Sequence, residues 1–450
     1  MENLATIRRV PGGLPFIGHS LPLLRDPLNF MRSMPRDEDI VQIRMGRLRA
    51  VVVCDPELTR QVMVDGRTFD KGGPVIDGQR EVVGNNIVTC PHSQHRQIRR
   101  LSQPAFHLSR FPGYGQTMTA QTMEIIDSWR DGQVVDIIRP LLELSSKILV
   151  EAMFSGAIPS SGIRRIIDDF GEITAGAFRS ITMPSLINRL PTPANRRFDR
   201  VRANLRQTLS NVIAERRASG GNHNDLLTAL LADQGHSGGR MLTDTDLSNE
   251  VAAFFIAGTG TTASTLSWAL YLLACHPDIQ DRLHAETAAV LAGHTAAYEH
   301  LPQLDLASRV ITETLRLYPT AWVLTRVATA DTRLGDCWIP FGTTVVVSPY
   351  LIHHRPDLFQ EPERFNPDRW EIGYHPRHPR NTFIPFGLGA RKCIGDQFAL
   401  TEATLALANI IARWRLHDLP NQRVRLLIGT NIRPRSIRLR VTHPVKTHFN

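Results

Sequence analysis

The ten residues from Phe386 to Gly395 hold the side chains best suited to chemistry in this 450-residue chain. They read Phe-Gly-Leu-Gly-Ala-Arg-Lys-Cys-Ile-Gly: one cysteine in a glycine-rich loop, with an aromatic ring seven residues before it. Glycines at 387, 389 and 395 let the backbone turn tightly and approach something large and flat. A helix-competent run, Asp396 to Ala408, follows directly, so Cys393 stands just ahead of a helix N-terminus and is preceded by Arg391 and Lys392. Positive charge and a helix N-terminus both lower a thiol's pKa, which predicts a thiolate at Cys393, the form that binds metal. With no Cys or His close by in sequence, a zinc or iron–sulfur site lacks its several protein ligands. A single thiolate suits the axial position of a haem iron, whose in-plane ligands come from the porphyrin. The competing reading is a buried structural cysteine beside a glycine turn.

The other candidate groups need elements to carry them. His92 to Arg100 reads as a basic helix, and His95 and Arg99, at i and i+4, share one face of it. That face could grip two carboxylates, and haem has two propionates. A metal site from Cys90, His92 and His95 and a merely solvated basic face are the alternatives. From Val251 to Cys275 there are 25 residues without a charge, long enough to span a bilayer. Thr259, Gly260, Thr261, Thr262, Ser264, Thr265 and Ser267 make the run polar for a lone span, which favours a helix buried through the middle of a large domain. Gly258 to Ala263 also matches the dinucleotide fingerprint G-x-G-x-x-A, but no strand precedes it and the match is accidental. Glu313 and Arg316 are at i and i+3 on a predicted helix, close enough to pair.

Composition bounds the class. The chain is 42% hydrophobic and 21% charged, ordinary for a globular protein. No linker, repeat or low-complexity block divides it, so residues 1–450 read as one large domain. Five cysteines (54, 90, 275, 337 and 393) are odd in number and widely spaced, which fits a reducing cytoplasm rather than a disulfide framework. The first twenty residues have no apolar core for a signal peptide or membrane anchor. The net charge of +9 would suit nucleic acid, a membrane surface or an acidic protein. No nucleic-acid motif accompanies it, which leaves an acidic protein partner or an unpartnered solvated surface.

F-x-x-G-x-R-x-C-x-G resembles the haem-binding loop of the cytochrome P450 monooxygenases, and other motifs of that family follow in the family's order. Pro11-Gly12-Gly13-Leu14-Pro15 is similar to its proline-rich entry segment. Val41 to Val53 alternates like a hairpin, Pro56 to Val64 reads as a short helix, and 71–91 reads as a long glycine-rich loop that in the family covers the substrate pocket. Residues 115–235 carry helical patterns interrupted at Pro159, Pro184, Pro191 and Pro193, with loops at 220–223 and 233–240. Leu190 to Phe198 is similar to a segment in bacterial members, including some that hydroxylate sesquiterpenes.

The resemblance implies a mainly α fold with smaller β-rich parts near 40–54, 325–347 and 423–441. It implies haem b held by Cys393, with Phe386, Gly387, Arg391 and Gly395 in the loop and His95, Arg99 and Arg326 at the propionates. It places Ala257, Gly258, Thr259, Gly260 and Thr261 beside the oxygen site, Thr261 acting in proton relay. Gly260 departs from the family, which usually has an acid there, so a water in the space left by glycine, Thr259, a substrate hydroxyl or another route must serve instead. Glu313, Arg316 and Arg364 would form a buried charge network under the haem. Ala253, Phe254, Ile256, Ala257, Ala321, Val323, Leu324 and Thr430 would line an apolar pocket for a small apolar substrate, a terpene by resemblance. No flavin or NAD(P) site is expected, so electrons would come from a ferredoxin and its reductase, with O2 as co-substrate. A haem-thiolate peroxygenase or isomerase without a redox partner, or a non-catalytic haem sensor or carrier, stays open.

Overall fold

In the computed structural model the described residues are 7–46, 48–182, 190–219, 223, 225–232, 242–371, 373, 381–429 and 431–444. The lead-in carries two short helices, α1 (Ser20–Arg25) and α2 (Pro27–Arg32), the second capped by the Asp26 carboxylate, which accepts from the Asn29 N–H. The predicted hairpin follows as β1 (Ile40–Met45) and β2 (Leu48–Val53), antiparallel, with Ile40 opposite Val53. Next come α3 (Pro56–Val64), opened by the Asp55 cap and a proline in its first turn, and the short β3 (Phe69–Asp70).

The expected loop over 71–91 is corrected. It contains a helix, α4 (Gly73–Val83). Its glycines are mostly boundary residues: Gly73 and Gly84 take positive φ at the two ends, and Pro74 sits in the first turn, where it costs no hydrogen bond. Lys71, Gly72 and the stretch from Gly84 to Pro91 lie outside helix.

α5 (His92–Ser102), α6 (Phe111–Ile126), β4 (Val134–Asp136), α7 (Ile138–Phe154), α8 (Ser160–Thr182), α9 (Pro193–Ser219) and α10 (Leu226–Ala232) form the run of helices. Pro184 and the expected loops at 220–223 and 233–240, His223 apart, fall outside the described residues.

The uncharged run lies in α11 (Asp244–Cys275), started by a capping box between Thr243 and Asp246. It is buried around most of its circumference and packs on α7 and α9, which is what an all-round apolar helix requires. Among the described residues no helix is long and apolar enough to cross a membrane. α12 (Pro277–Leu291) and α13 (Asp305–Leu317) follow, then β5 (Leu324–Ala328), β6 (Thr332–Leu334), β7 (Cys337–Ile339), β8 (Thr344–Val347) and α14 (Pro349–His353). The chain closes with α15 (Asp396–Arg413), β9 (Arg415–His417), β10 (Leu426–Ile428), β11 (Ile432–Pro434) and β12 (Arg438–Thr442).

The largest sheet has the order β1-β2-β8-β5-β3, so strands near residue 50 and near residue 345 are neighbours, β2 and β8 running parallel. β4, β12 and β9 make a second sheet, and β10–β11 is a hairpin. These pieces surround α11, which crosses the main apolar core.

Candidate haem-thiolate site

The cysteine loop is held against α3. A β-carbon at Gly389 would stand 2.8 Å from the Met63 carbonyl oxygen and 2.9 Å from Val64 Cα, and Gly389 also has φ of 70°, so only glycine fits. The Cys393 N–H donates to the Phe386 carbonyl at 2.9 Å, which closes the loop on itself. Phe106 ties the loop to α11. It lies 3.5 Å from where a Gly395 β-carbon would be, and it stacks on Phe254 with ring centroids 5.9 Å apart.

Cys393 is exposed by surface area, yet protein packs around it densely enough to desolvate its sulfur. The predicted depression of its pKa is corrected. Burial pushes the thiol up, and the Gly395 N–H, Arg99 and Lys392 oppose that without reversing it. Lys392 is partly engaged elsewhere, in an ion pair with Asp396.

α11 opens at one point along its buried length. Ala257 is exposed and Thr261 half-buried, one turn apart, while Val251 to Phe255 and Thr262 to Leu270 are buried. The Thr261 hydroxyl donates to the Ala257 carbonyl at 2.6 Å. Thr259 points elsewhere: it is fully buried, and the Ser146 hydroxyl of α7 donates to it at 3.4 Å. At 100° per residue it lies on the far side of the helix from Ala257 and Thr261. The expectation of a water in the space left by Gly260 is also corrected, because the Phe170 ring of α8 stands where a side chain would go.

Around the loop cations outnumber carboxylates. Arg326 is 3% exposed, and among the described residues its hydrogen bond is to the neighbouring Thr325 carbonyl. Burial, then the neighbouring Arg391, lower it to about 10. Lys71, beside it, is lowered well below its ordinary value by burial, then by Arg326 and Arg391. Arg391 donates to Asp70 at 2.9 Å and to the Cys90 sulfur at 3.6 Å. Arg99 donates to the Lys392 carbonyl at 2.6 Å. His95 is buried, and burial followed by Arg391 and Arg99 lowers it to about 4. Asp70 is the only carboxylate ion-paired to this group among the described residues. Desolvated cations with one anion among them favour added carboxylates, so a flat dianionic macrocycle with a soft-ligand metal fits these residues. Lys71 had no motif to mark it in the sequence. No three His, Cys, Asp or Glu among the described residues form a metal group, so Cys90, His92 and His95 do not make one.

The buried charge network is present with one member changed. Arg316 donates from Nε and Nη2 to Glu313 at 2.9 and 2.8 Å. The third partner is Arg369, whose Nε reaches Glu313 Oε1 at 2.9 Å, with the Asn366 N–H and the Trp370 indole completing the carboxylate's shell. Arg364 is corrected: its side chain is exposed and pairs with Glu361, and only its carbonyl meets Arg316.

Of the expected pocket residues, Ala257, Ile256, Ala321, Val323 and Leu324 are exposed or half-buried, while Ala253 and Phe254 are buried. Leu324 approaches within 3.9 Å of a β-carbon position at Gly387, next to the cysteine loop. Thr430 lies outside the described residues.

The fold and the sequence are similar to those of known proteins. A crystal structure of the cytochrome P450DA heme domain superposes with a TM-score of 0.87 at 26% identity, covering 98% of each chain. Cyclooctat-9-en-7-ol 5-monooxygenase of Streptomyces melanosporofaciens is 40% identical over 93% of this chain and 91% of its own. Pentalenene oxygenase of Streptomyces avermitilis is 40% identical over 96% of both chains. The sequence profile of the family described as Cytochrome P450 matches residues 9–438, nearly the whole fold described above, and on that span this chain belongs to the cytochrome P450 family and is a monooxygenase of it.

Proposed function

We propose that the chain inserts one oxygen atom from O2 into a small apolar terpene, with electrons delivered by a separate ferredoxin and its reductase. The observation that carries the reading is the opening of α11 at Ala257 and Thr261 in an otherwise buried stretch, in a fold that also leaves the Cys393 side chain accessible. Haem bound there supplies the reductive activation of oxygen, and a thiolate ligand favours O–O cleavage.

The protein's share is ligation, orientation and proton handling. Cys393 would supply the thiolate that holds the haem iron. Arg326, Arg391, Lys71, Arg99 and His95 would hold its carboxylates. The Thr261 O–H is committed to the Ala257 carbonyl, which leaves its oxygen able to accept a hydrogen bond. The half-buried Ile256, Ala321, Val323 and Leu324 present apolar surface to a substrate. The terpene class is suggested by the relatives named for pentalenene and cyclooctat-9-en-7-ol.

The partner reading rests on charge. Arg96, Arg100 and Lys392 are exposed, and the Arg99–Lys392 hydrogen bond brings α5 against the cysteine loop, so the three cations lie close to the proposed ligand. An acidic ferredoxin would be steered to such a face.

The test is turnover of terpene hydrocarbons with a surrogate ferredoxin and reductase against turnover with hydrogen peroxide alone. Hydroxylated product that depends on reductase and O2 is expected. Product from peroxide alone, with none from the reductase system, would assign the chain to the peroxygenase alternative.

A further inference from the structure

Gly260 has a partner that the motif does not reveal. Phe170 of α8 is 2% exposed, and its Cε1 lies 2.9 Å from where a Gly260 β-carbon would stand, with Cζ closer still. Real β-carbons do not make such contacts, so a side chain at 260 would force the buried Phe170 ring, or α8 with it, to move. The following turns of α8 carry the β10–β11 hairpin. Arg433 Nη2 donates to Thr174 Oγ1 at 3.2 Å, and Phe178 Cβ lies 3.8 Å from a β-carbon position at Gly429. The hairpin is tied back to α11 and to the 320–324 segment: the Ser264 hydroxyl donates to the Ile432 carbonyl at 2.9 Å, and the Ile432 N–H donates to the Thr320 carbonyl at 3.0 Å. A ring of contacts thus runs from α11 through α8 and the hairpin back to α11, flanking the open stripe at Ala257 and Thr261.

We propose that Phe170 is a positioning residue that sets substrate specificity. Keyed against Gly260, its ring fixes α8 and the hairpin beside the open stripe and so determines which apolar shapes fit there. The inference deepens the monooxygenase reading and rests on it for the substrate.

Four haem-loaded proteins test it: wild type, Gly260→Ala, Phe170→Leu and the double variant. Leucine at 170 lacks the three ring atoms nearest residue 260 and stays apolar. Thermal melting needs no substrate. Gly260→Ala should melt lower than wild type, and the double variant should recover to the level of Phe170→Leu, because the clash has been removed. Additive losses would overturn the keyed contact. The second readout is the haem absorbance shift on titrating a size series of cyclic terpene hydrocarbons. Gly260→Ala should weaken binding on the order of tenfold, with recovery in the double variant. Phe170→Leu should change the rank order toward bulkier hydrocarbons. An unchanged rank order in Phe170→Leu would leave a purely structural contact and overturn the specificity claim. No shift with any hydrocarbon in wild type would sink the terpene reading, and the melting cycle would still decide the contact.

Discussion

Replacing Arg369 with alanine should destabilise the protein far more than replacing Arg364, although the sequence offers Arg364 as the better candidate. Arg369 is buried, its Nε donates to Glu313 Oε1 at 2.9 Å, and its Nη1 donates to the Gln360 carbonyl at 3.1 Å. Glu313 itself is fully buried. Removing one partner of a buried ion pair costs about 3–5 kcal/mol, because it leaves charge desolvated and underpaired. Glu313 keeps its two-pronged contact with Arg316, so the low end, about 3 kcal/mol, is expected. Arg364 pairs with Glu361 while both side chains are about two-thirds exposed, at 65% and 63%, and such pairs contribute at most about 1 kcal/mol. Urea unfolding of the haem-loaded variants, followed by far-UV circular dichroism alongside haem retention, measures both. An Arg364→Ala variant that unfolds at the same urea concentration as Arg369→Ala, or earlier, would refute the reasoning.

Three further outcomes follow from the same geometry. Glu402 accepts from the Ser145 hydroxyl at 2.6 Å and is raised by burial to about 8. Its unfolded value is about 4.3, so the folded state binds the extra proton between those limits. Its stabilising contribution is therefore full below the lower limit and lost as pH rises through 8. Glu402→Gln should flatten the fall in melting temperature between pH 5 and 8, and an unchanged slope would count against a neutral Glu402. Reversing Arg96 and Arg100 to Glu should slow reduction by an acidic ferredoxin at low salt and leave substrate binding alone; equal rates at low salt would remove the docking argument. Thr261→Ala should divert reducing equivalents to peroxide, and coupling to product equal to wild type would make Thr261 an ordinary core threonine.

What the sequence revealed was local, and what it concealed depended on residues far apart in the chain. The cysteine loop, the Val41–Val53 hairpin, the α3 helix and the uncharged α11 each carry their signal in consecutive residues: glycines, alternation, an Asp-Pro cap, absence of charge. α4 was hidden because its glycines mark its ends as readily as they mark a loop. The exchange of Arg369 for Arg364 was hidden because both follow Glu313 by about fifty residues, and only folding decides which turns inward. The Phe170 ring over Gly260 joins positions 90 residues apart with no spacing rule to connect them. The Cys393 thiol was misjudged because nearby positive charge is visible in sequence and desolvation is not.

The central claim is that Cys393 ligates haem iron, and the absorption spectrum of the reduced, carbon monoxide-treated protein tests it most directly. Wild type should show the long-wavelength thiolate-type band, and Cys393→Ala should lose that band while Arg364→Ala keeps it. A thiolate-type band that persists unchanged in Cys393→Ala would contradict the account.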